Sequence, residues 1–323
     1  MLPEDVNYTR QNLPRTLPFP YFADRESPWL LMHRMRKEER VSELKASPLA
    51  RFLDRPMVKP VVAACGGVLK REDVYAAAHA DVSSSDPSLS RAGTAGVLAA
   101  FDLPWHDFLL SFETWAPSDE LSTSGQMSRA GANLVIQLGF PSDHSALMGK
   151  YLQGETRKMF EYCRHPVRQS GRPTLAWARV DIEGKEALIE EVQTDWLRFA
   201  KERARELERL QPRSRHARAM RTYETDLRKR YDKLWPKAIL LCTLGLLRDV
   251  LRVETVFMHQ HQPGLELKHV TCGEPPRSLY TKLPRHFGFE PTQEAPHFLR
   301  KARRRKLATL SKGSEPLFWR LSV

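Results

Sequence analysis

Hydrophobic positions in the C-terminal part of the chain recur with two different periods. Residues 133–140 (NLVIQLGF) carry an apolar side chain at every second position, which is typical of a strand. Residues 174–182 (TLAWARVDI) and 187–193 (ALIEEVQ) flank a glycine-containing turn, so we predict that they form a hairpin. Further strands are predicted at 253–259 and 317–323.

Segments between these strands have helical spacing. We predict helices from 142 to about 163, from 195 to 210, over 223–249 with a break at Pro236, and over 276–286. Residues 211–222 (QPRSRHARAMRT) are predicted to be a basic insertion between two of them. Strands that alternate with helices, together with one hairpin, predict a mixed α/β fold with a partly antiparallel sheet flanked by helices.

The N-terminal part of the chain has weaker periodicity. Residues 1–60 contain 8 of the 23 prolines, and Ser-Pro pairs at 27–28 and 47–48 predict the starts of short helices. A strand is indicated where Phe108, Leu110 and Phe112 alternate. We therefore predict an N-terminal arm with a helical and irregular region over 1–131, followed by an α/β domain over 132–323.

Positive charge is concentrated in two segments. The chain has 51 Lys and Arg against 39 Asp and Glu, a formal net charge of +12. Residues 198–237 and 300–306 hold this excess, which suggests an anionic partner such as a nucleic acid or tRNA. Aromatic residues do not alternate with these arginines, so the sequence does not indicate a base-stacking platform. The candidate phosphate-binding residues are Arg213, Arg215, Arg218, Arg221, Arg303, Arg304 and Arg305.

Cysteine usage and hydropathy favour a cytoplasmic protein. The four cysteines are widely spaced and form no CxxC motif, so reduced thiols are expected. The first ten residues lack the basic and then apolar pattern of a secretory signal. The longest apolar run, 238–247, is half the length of a bilayer span, so we predict a buried helix and no membrane contact.

Carboxylates in an apolar strand form the most unusual motif. In 190–196 (EEVQTDW), strict alternation places Glu191 and Gln193 on one face with Ala187 and Ile189, and Glu190 on the other. Buried carboxylates are unfavourable unless they are paired or functional. Glu191 and Gln193 are therefore either a catalytic or ligand-orienting pair, or an edge position in which a glutamate pairs with Arg179. For Asp195, a plain helix N-cap is the simpler interpretation.

Two further groups of side chains could contribute chemistry. His259, His261, His269 and Cys272 follow a strand, but their spacing matches no standard zinc site, so no metal is expected. Either His259 or His261 is instead interpreted as a polar strand-end residue that faces the same pocket as Glu191. Tyr280 lies beside the apolar face of the predicted helix 276–286, where its hydroxyl is either a proton donor or part of the core.

The segment 174–196 resembles a domain of large polyvalent proteins from bacteriophages and conjugative elements, which contains a W-x-R … IEEIQSDW motif. Trp177, Arg179 and Glu190–Trp196 carry this resemblance, which extends loosely to Tyr280–Phe289. It implies a mobile-element context and no particular reaction.

The order of predicted elements is similar to that of the GNAT acyltransferases, whose plan has antiparallel strands, a long helix, a further strand and closing strands. This resemblance implies that Tyr280 protonates the departing thiolate, that Glu190 or Glu191 is the base, and that acyl-coenzyme A is the donor. The glycine turn that binds pyrophosphate in that family is absent, because Gln193 is followed by Thr194 and Asp195. The sequence therefore assigns no cofactor.

Three functional hypotheses follow. The first is transfer of an acyl or aminoacyl group, with Glu191, Gln193, Tyr280, Glu190 and His259 as candidate catalytic residues. The second is a non-catalytic nucleic-acid-binding or anti-defence protein that uses the basic segments around 213–230 and 300–306. The third is a structural or regulatory module without catalytic activity.

Overall fold

The computed structural model describes residues 1–79, 105–116, 126–152, 154–158, 160, 172–270, 273–313 and 315–323. The chain forms two compact units: Pro20–His106, and Met1–Phe19 together with Asp107–Val323. This division differs from the predicted boundary at 131, since residues 1–19 and the described residues 107–116 and 126–131 belong to the unit that contains the sheet. Cys163, Cys272 and the predicted end of the helix at 163 lie outside the described residues.

The smaller unit contains short helices around a two-stranded antiparallel sheet. Its strands pair Glu38 with Lys70 and Arg40 with Val68. Leu31, Phe52 and Ala77 are fully buried, so apolar packing supports the unit. Its described elements are α2 (Glu26–Arg34), β2 (Glu38–Arg40), α3 (Val41–Lys45), α4 (Ala50–Leu53), α5 (Lys59–Ala64), β3 (Val68–Lys70) and α6 (Arg71–Ala78).

An eight-stranded sheet organises the larger unit and gives the mixed α/β fold that the sequence predicts. The strand order is β1-β4-β5-β6-β7-β8-β10-β9, and β7 and β8 are parallel within a mostly antiparallel sheet. The strands are β1 (Leu17–Tyr21), β4 (His106–Trp115), β5 (Asn133–Gly139), β6 (Thr174–Glu183), β7 (Glu186–Gln193), β8 (Thr255–His259), β9 (Glu290–Thr292) and β10 (Phe318–Ser322).

Helices flank this sheet. They are α1 (Pro3–Asn12), α7 (His144–Tyr151), α8 (Glu155–Lys158), α9 (Asp195–Leu210), α10 (Arg215–Tyr231), α11 (Trp235–Gly245), α12 (His261–Leu267), α13 (Lys282–His286), α14 (His297–Ala302) and α15 (Arg304–Leu310). A π-helical turn, Leu246–Val250, extends α11, and a 3₁₀ turn, Arg277–Tyr280, precedes α13.

The five strands predicted from periodicity are confirmed, each within two residues of its predicted ends. The hairpin is also confirmed, because β6 pairs with β7 and Gly184 adopts a positive φ of 60° in the connecting turn. Glycine takes this left-handed conformation without the steric penalty that a side chain brings.

Predicted helix boundaries were wrong in three places. α7 ends at Tyr151, because Leu152 takes extended dihedral angles. Most of the predicted insertion 211–222 is helical, because the Ser214 side chain accepts a hydrogen bond from the Ala217 amide and starts α10. The predicted helix 276–286 is divided at Thr281 into a 3₁₀ turn and α13.

The predicted break at Pro236 is confirmed in a modified form. α10 ends at Tyr231, and Pro236 lies in the first turn of α11, where its missing N–H leaves no helical hydrogen bond unmade. α11 packs against β5, β6 and β7, and Ile239, Leu240 and Leu244 are fully buried.

A hydrophobic cluster joins one end of the sheet to the C-terminal helices. Leu188 of β7 and Phe257 of β8 lie side by side there, and Phe318 of β10 packs with them. Phe298 and Leu299 of α14 cover these residues. This packing fixes the positions of the two strands. It therefore also fixes Glu190 and His259, which follow Leu188 and Phe257 along them.

No helix in the described part of the chain combines the length and the apolar character that a membrane span requires.

Candidate functional site

A β-bulge at Glu190 determines which side chains of β7 share a face. Arg179 pairs with Glu191 and Val180 pairs with Ile189, so Glu190 is the extra residue between them. Glu191 and Gln193 therefore lie on the same face as Leu188, and the alternation predicted from the sequence, which grouped them with Ala187 and Ile189, was wrong. A bulge redirects a side chain in this way without ending the strand.

The bulge brings Glu190 together with His259 and Ser128. Glu190 Oε1 accepts a hydrogen bond from the Ser128 amide at 3.0 Å, and Oε2 accepts one from the Ser128 hydroxyl at 2.8 Å. His259 Nε2 lies 3.0 Å from Glu190 Oε2 and 2.8 Å from the Ser128 hydroxyl. All three residues are fully buried. We call them the Ser128 cluster.

The Ser128 cluster is formed just beyond the paired part of the two parallel strands. Pairing of β7 with β8 runs from Glu186 and Thr255 to Ile189 and Met258, one residue before Glu190 and His259. The sequence predicted that His259 or His261 faces the same pocket as Glu191. Instead, the His259 imidazole contacts Glu190 and Ser128 and is closed off from solvent.

Surrounding cations keep Glu190 ionised. Burial by itself raises the pKa of Glu190, but the hydrogen bond with His259 and the charges of Lys268 and Arg179 lower it to about 2. Burial lowers the pKa of His259, against the opposing effect of Glu190. At neutral pH the cluster therefore contains an anionic glutamate and a neutral histidine.

This arrangement differs from a nucleophilic Ser-His-Glu triad. In a triad, the carboxylate holds one imidazole nitrogen while the other faces the serine. Here both partners meet Nε2, and Nδ1 has no hydrogen-bond partner among the described residues. Because the serine is also fully buried, the cluster cannot reach a substrate in this conformation, and it holds the chain segment around Ser128 against the sheet.

Lys268 and Tyr280 lie next to the cluster. The Lys268 ammonium donates a 2.8 Å hydrogen bond to the Glu190 carbonyl and is buried, and this burial lowers its pKa. Tyr280 is only 2% exposed, its hydroxyl faces the backbone of Val192, and burial raises its pKa. The predicted proton donor is therefore enclosed in the core of this conformation.

One face of the sheet carries Arg179 of β6 together with Glu191 and Gln193 of β7. Arg179 is fully buried and donates hydrogen bonds to Glu191 at 2.5 Å and to the Gln126 carbonyl at 2.9 Å. The Glu191 side chain keeps 12% of its surface exposed. The pairing of a glutamate with Arg179 is therefore present. The edge position predicted with it was wrong, because β7 lies between β6 and β8 inside the sheet.

Asp195 closes the N-terminal end of α9. Its carboxylate accepts hydrogen bonds from Trp177 Nε1 at 2.8 Å, from Arg198 at 2.5 Å and from Gln193. Thr194, rather than Asp195, is the N-cap, because its hydroxyl accepts from the Leu197 amide. The carboxylate occupies the region in which a helix N-terminus would otherwise attract an anion.

Within the described residues, the histidines at the end of β8 and after it do not form a group that could hold a metal ion. His259 contacts Glu190, and His261 Nε2 lies 3.2 Å from the Pro275 carbonyl. His269 is exposed, and Cys272 lies outside the described residues.

Helices α9 and α10 form a cationic surface. Residues at positions i, i+3, i+7 and i+11 share one stripe of a helix, and Arg198, Lys201, Arg205 and Arg209 occupy such a stripe on α9, all exposed. A 3.0 Å salt bridge between Arg221 of α10 and Glu208 of α9 joins the exposed faces of the two helices. We define the basic surface as Arg198, Lys201, Arg205, Arg209, Arg213, Arg215, Arg218, Arg221 and Lys229.

Several cations of the basic surface have no acidic neighbour. Arg213, Arg215 and Arg218 are exposed, and no carboxylate in the described part of the chain lies within 4.0 Å of them. The same holds for Arg205 and Lys229. Arg221 differs, because it pairs with Glu208. The local positive charge is therefore only partly neutralised by the protein.

The second basic segment is divided between two roles. Arg303 is half-buried and donates a 2.6 Å hydrogen bond to the Ser128 carbonyl, so it is part of the fold. Arg304 and Arg305 are exposed in the first turn of α15. Arg300 and Lys301 of α14 are exposed as well, so four side chains of this segment present charge to a partner, whereas Arg303 does not.

We expect acid to destabilise the protein, because its buried histidines stay neutral in the folded state. Burial lowers the pKa of His144 to about 3, against an ordinary value of 6.5, and the pKa of His259 is lowered as well. The unfolded chain binds these protons first, so stability falls as pH drops below about 6.5. Protonation of Glu190 adds to this loss of stability as the pH falls from 4.5, the ordinary pKa of a glutamate, to about 2, its pKa in the folded protein.

Urea unfolding at pH 7.5 and pH 5 measures this effect. His144 alone should account for a loss of about 2 kcal/mol at pH 5. The variant His144→Gln should lose part of the pH dependence, whereas His216→Gln, at an exposed position of α10, should retain it. Equal stability of the wild type at the two pH values would contradict the assignment of neutral buried histidines.

Comparisons with protein-family models, curated proteins and solved structures found no match. The two resemblances drawn from the sequence therefore stay predictions.

Sequence reasoning missed Ser128, Lys268 and Trp115. Ser128 and Lys268 lie 62 and 78 residues from Glu190 along the chain and reach it only through the fold. Trp115 ends β4 and stacks with Trp177 at a ring distance of 6.3 Å. Lys268 follows the last residue of α12, in a segment for which the sequence predicted no element.

Proposed function

We propose that the chain binds a nucleic acid through the basic surface of α9 and α10. The observation that carries this proposal is the group of exposed cations without acidic neighbours, which extends over two packed helices. Many surface charges of folded proteins are balanced by nearby carboxylates, and such pairs contribute little energy. An unbalanced group of this size attracts a polyanion.

The dimensions of the surface favour an extended partner. The stripe from Arg198 to Arg209 covers eleven helical steps, or about 16 Å. A duplex carries a phosphate charge about every 1.7 Å along its axis, so several phosphates can contact the stripe at once. A nucleic acid uses the whole surface, whereas a small anion uses one or two arginines.

Fluorescence anisotropy with labelled 20-base-pair DNA and RNA duplexes tests the proposal. At about 50 mM salt the wild type should bind, with affinity in the range of sequence-independent contacts. Replacing Arg213, Arg215 and Arg218 with glutamine should weaken binding about tenfold or more. The control replaces Lys45, Lys59 and Lys70, which are exposed in the smaller unit, and should bind like the wild type.

Two outcomes would overturn the proposal. One is the absence of binding to either duplex at about 50 mM salt. The other is that the protein binds vesicles that contain phosphatidylserine but binds neither duplex, and that substitution of Arg213, Arg215 and Arg218 weakens the binding to vesicles. This result would assign the surface to a membrane.

We propose acyl or aminoacyl transfer as a second candidate function. It is supported by the order of elements, in which antiparallel β5, β6 and β7 are followed by the long α9, by β8 and by the closing strands. Glu191 and Gln193, which are only half-buried, are the candidate groups for contact with a substrate. Glu190, His259 and Tyr280 are enclosed and would act through positioning.

Calorimetric titration with acetyl-coenzyme A tests this candidate. If the proposal holds, the wild type binds the donor and Glu191→Gln lowers the rate of thiol release while the protein stays folded. The absence of both binding and thiol release would remove this candidate and leave nucleic-acid binding unaffected.

A further inference from the structure

A cavity of about 420 Å³ lies between the end of α1 and the strand β4. The last turn of α1 and residues 13–15 line one side of it, and residues 111–113 of β4 line the other. Gln11, Pro14 and Arg15 are exposed, so a ligand can enter from solvent. Small-molecule sites of proteins have volumes of roughly 300–1,000 Å³, and this cavity falls within that range.

Packing and hydrogen bonding hold the two sides of the cavity in place. Val6 of α1 is fully buried, and α1 packs against β5, the neighbour of β4 in the sheet. The Thr114 hydroxyl of β4 donates a 3.3 Å hydrogen bond to the Asn7 side chain of α1. The cavity is therefore preformed, and a ligand does not have to order its walls on binding.

Two arginines of the cavity keep hydrogen-bond donors available. Arg10 lies 3.9 Å from Glu113 Oε2, which is too long for a hydrogen bond, and Arg10 Nε has no partner among the described residues. Arg15 is exposed, and no carboxylate in the described part of the chain lies within 4.0 Å of it. Guanidinium groups bind carboxylates and phosphates through such donors.

Ser111 adds a buried polar group to the same cavity. Side chains alternate along a strand, so Ser111 and Glu113 share one face of β4. Ser111 is only 7% exposed, and its hydroxyl makes no hydrogen bond to the described residues. A buried hydroxyl without a partner is unfavourable. An oxygen of a ligand bound beside the two arginines would satisfy it.

We propose that this cavity binds a small organic monocarboxylate with an apolar body. Arg10, Arg15 and Glu113 together leave one positive charge, which a single carboxylate neutralises. A phosphate monoester carries a charge of about −1.5 to −2 at neutral pH, so Glu113 disfavours it. Leu13 and Phe112 also line the cavity and offer apolar surface to the rest of the ligand. The site shares no residue with the basic surface, so it is independent of nucleic-acid binding.

Saturation-transfer NMR with hexanoate as the probe tests the inference. The wild type should bind hexanoate with a dissociation constant of roughly 1–10 mM, as expected for so small a ligand. It should bind 1-hexanol, which lacks the charge, and hexyl phosphate more weakly. Arg15→Gln should weaken hexanoate binding about tenfold or more. The control Arg36→Gln, at a position that is 85% exposed in the smaller unit, should bind like the wild type.

Glu113→Gln separates the charge of the cavity from its shape. The variant leaves two positive charges, so hexyl phosphate should bind about fivefold more tightly than it binds the wild type. Three results would each overturn the inference: no binding of hexanoate over the millimolar range, equal affinity for hexanoate and 1-hexanol, or equal affinity of the wild type and Arg15→Gln for hexanoate. Tighter binding of hexyl phosphate than of hexanoate to the wild type would overturn the assignment to a monocarboxylate.

Discussion

Replacing Glu190 with glutamine should lower the free energy of unfolding by about 3 kcal/mol or more. The substitution keeps the shape of the side chain but removes the negative charge that Ser128, His259 and Lys268 surround. Lys268 is buried 2.8 Å from the Glu190 carbonyl and would lose part of the charge that compensates it. An uncompensated charge away from water is far less favourable than a paired one.

Urea unfolding of the variant and of a matched control measures this effect. Glu254→Gln removes a carboxylate that is 68% exposed and that pairs with Lys185 at 3.2 Å. This control should change stability by less than about 1 kcal/mol, because solvent screens an exposed pair. If Glu190→Gln were as stable as Glu254→Gln, the Ser128 cluster would not have the structural role described here.

Gly264→Ala should destabilise the protein by about 2 kcal/mol. A methyl group at this position of α12 would lie 2.7 Å from His259 Cβ and 3.0 Å from its Cγ. Neither atom is at the flexible end of a side chain, so the helix or β8 has to move. In a helix, alanine is more favourable than glycine by about 1 kcal/mol. The clash with His259 must cost more than this gain for the variant to be destabilised.

Gly245→Ala is the control for Gly264→Ala. Gly245 lies at the end of α11, and apart from its chain neighbours and the nearby helix backbone, no atom of the described residues lies within 4 Å of the position that its Cβ would take. Thermal unfolding should show this variant to be as stable as the wild type or slightly more stable. A higher midpoint for Gly264→Ala as well would mean that His259 is not tightly packed.

Strands and charge could be predicted from the sequence, because both depend on local patterns. The alternation in 133–140 and the turn around Gly184 needed no knowledge of distant residues. The excess charge of 198–237 was also readable. The structure of this segment could not be predicted. Pro212 and four arginines suggested an irregular insertion over 211–222, whereas Ser214 caps a helix that covers most of it.

The site could be predicted only in part. The pairing of Glu191 with Arg179 was weighed as an alternative, because both lie on strands of one predicted hairpin. The bulge at Glu190 could not be predicted, because it depends on the register of β7 between two neighbours. Ser128, Lys268 and Trp115 come from segments without a motif, and only the fold brings them to the strand.

Salt dependence of duplex binding tests the central claim, that the exposed cations of α9 and α10 hold phosphates. The logarithm of the binding constant should fall linearly with the logarithm of salt concentration, by about 0.9 for each phosphate contact. Substitution of Arg213, Arg215 and Arg218 with glutamine should therefore reduce the slope by about 2.7, and substitution of Lys45, Lys59 and Lys70 should leave it unchanged. The same slope in both variants would contradict the assignment of nucleic-acid binding to this surface.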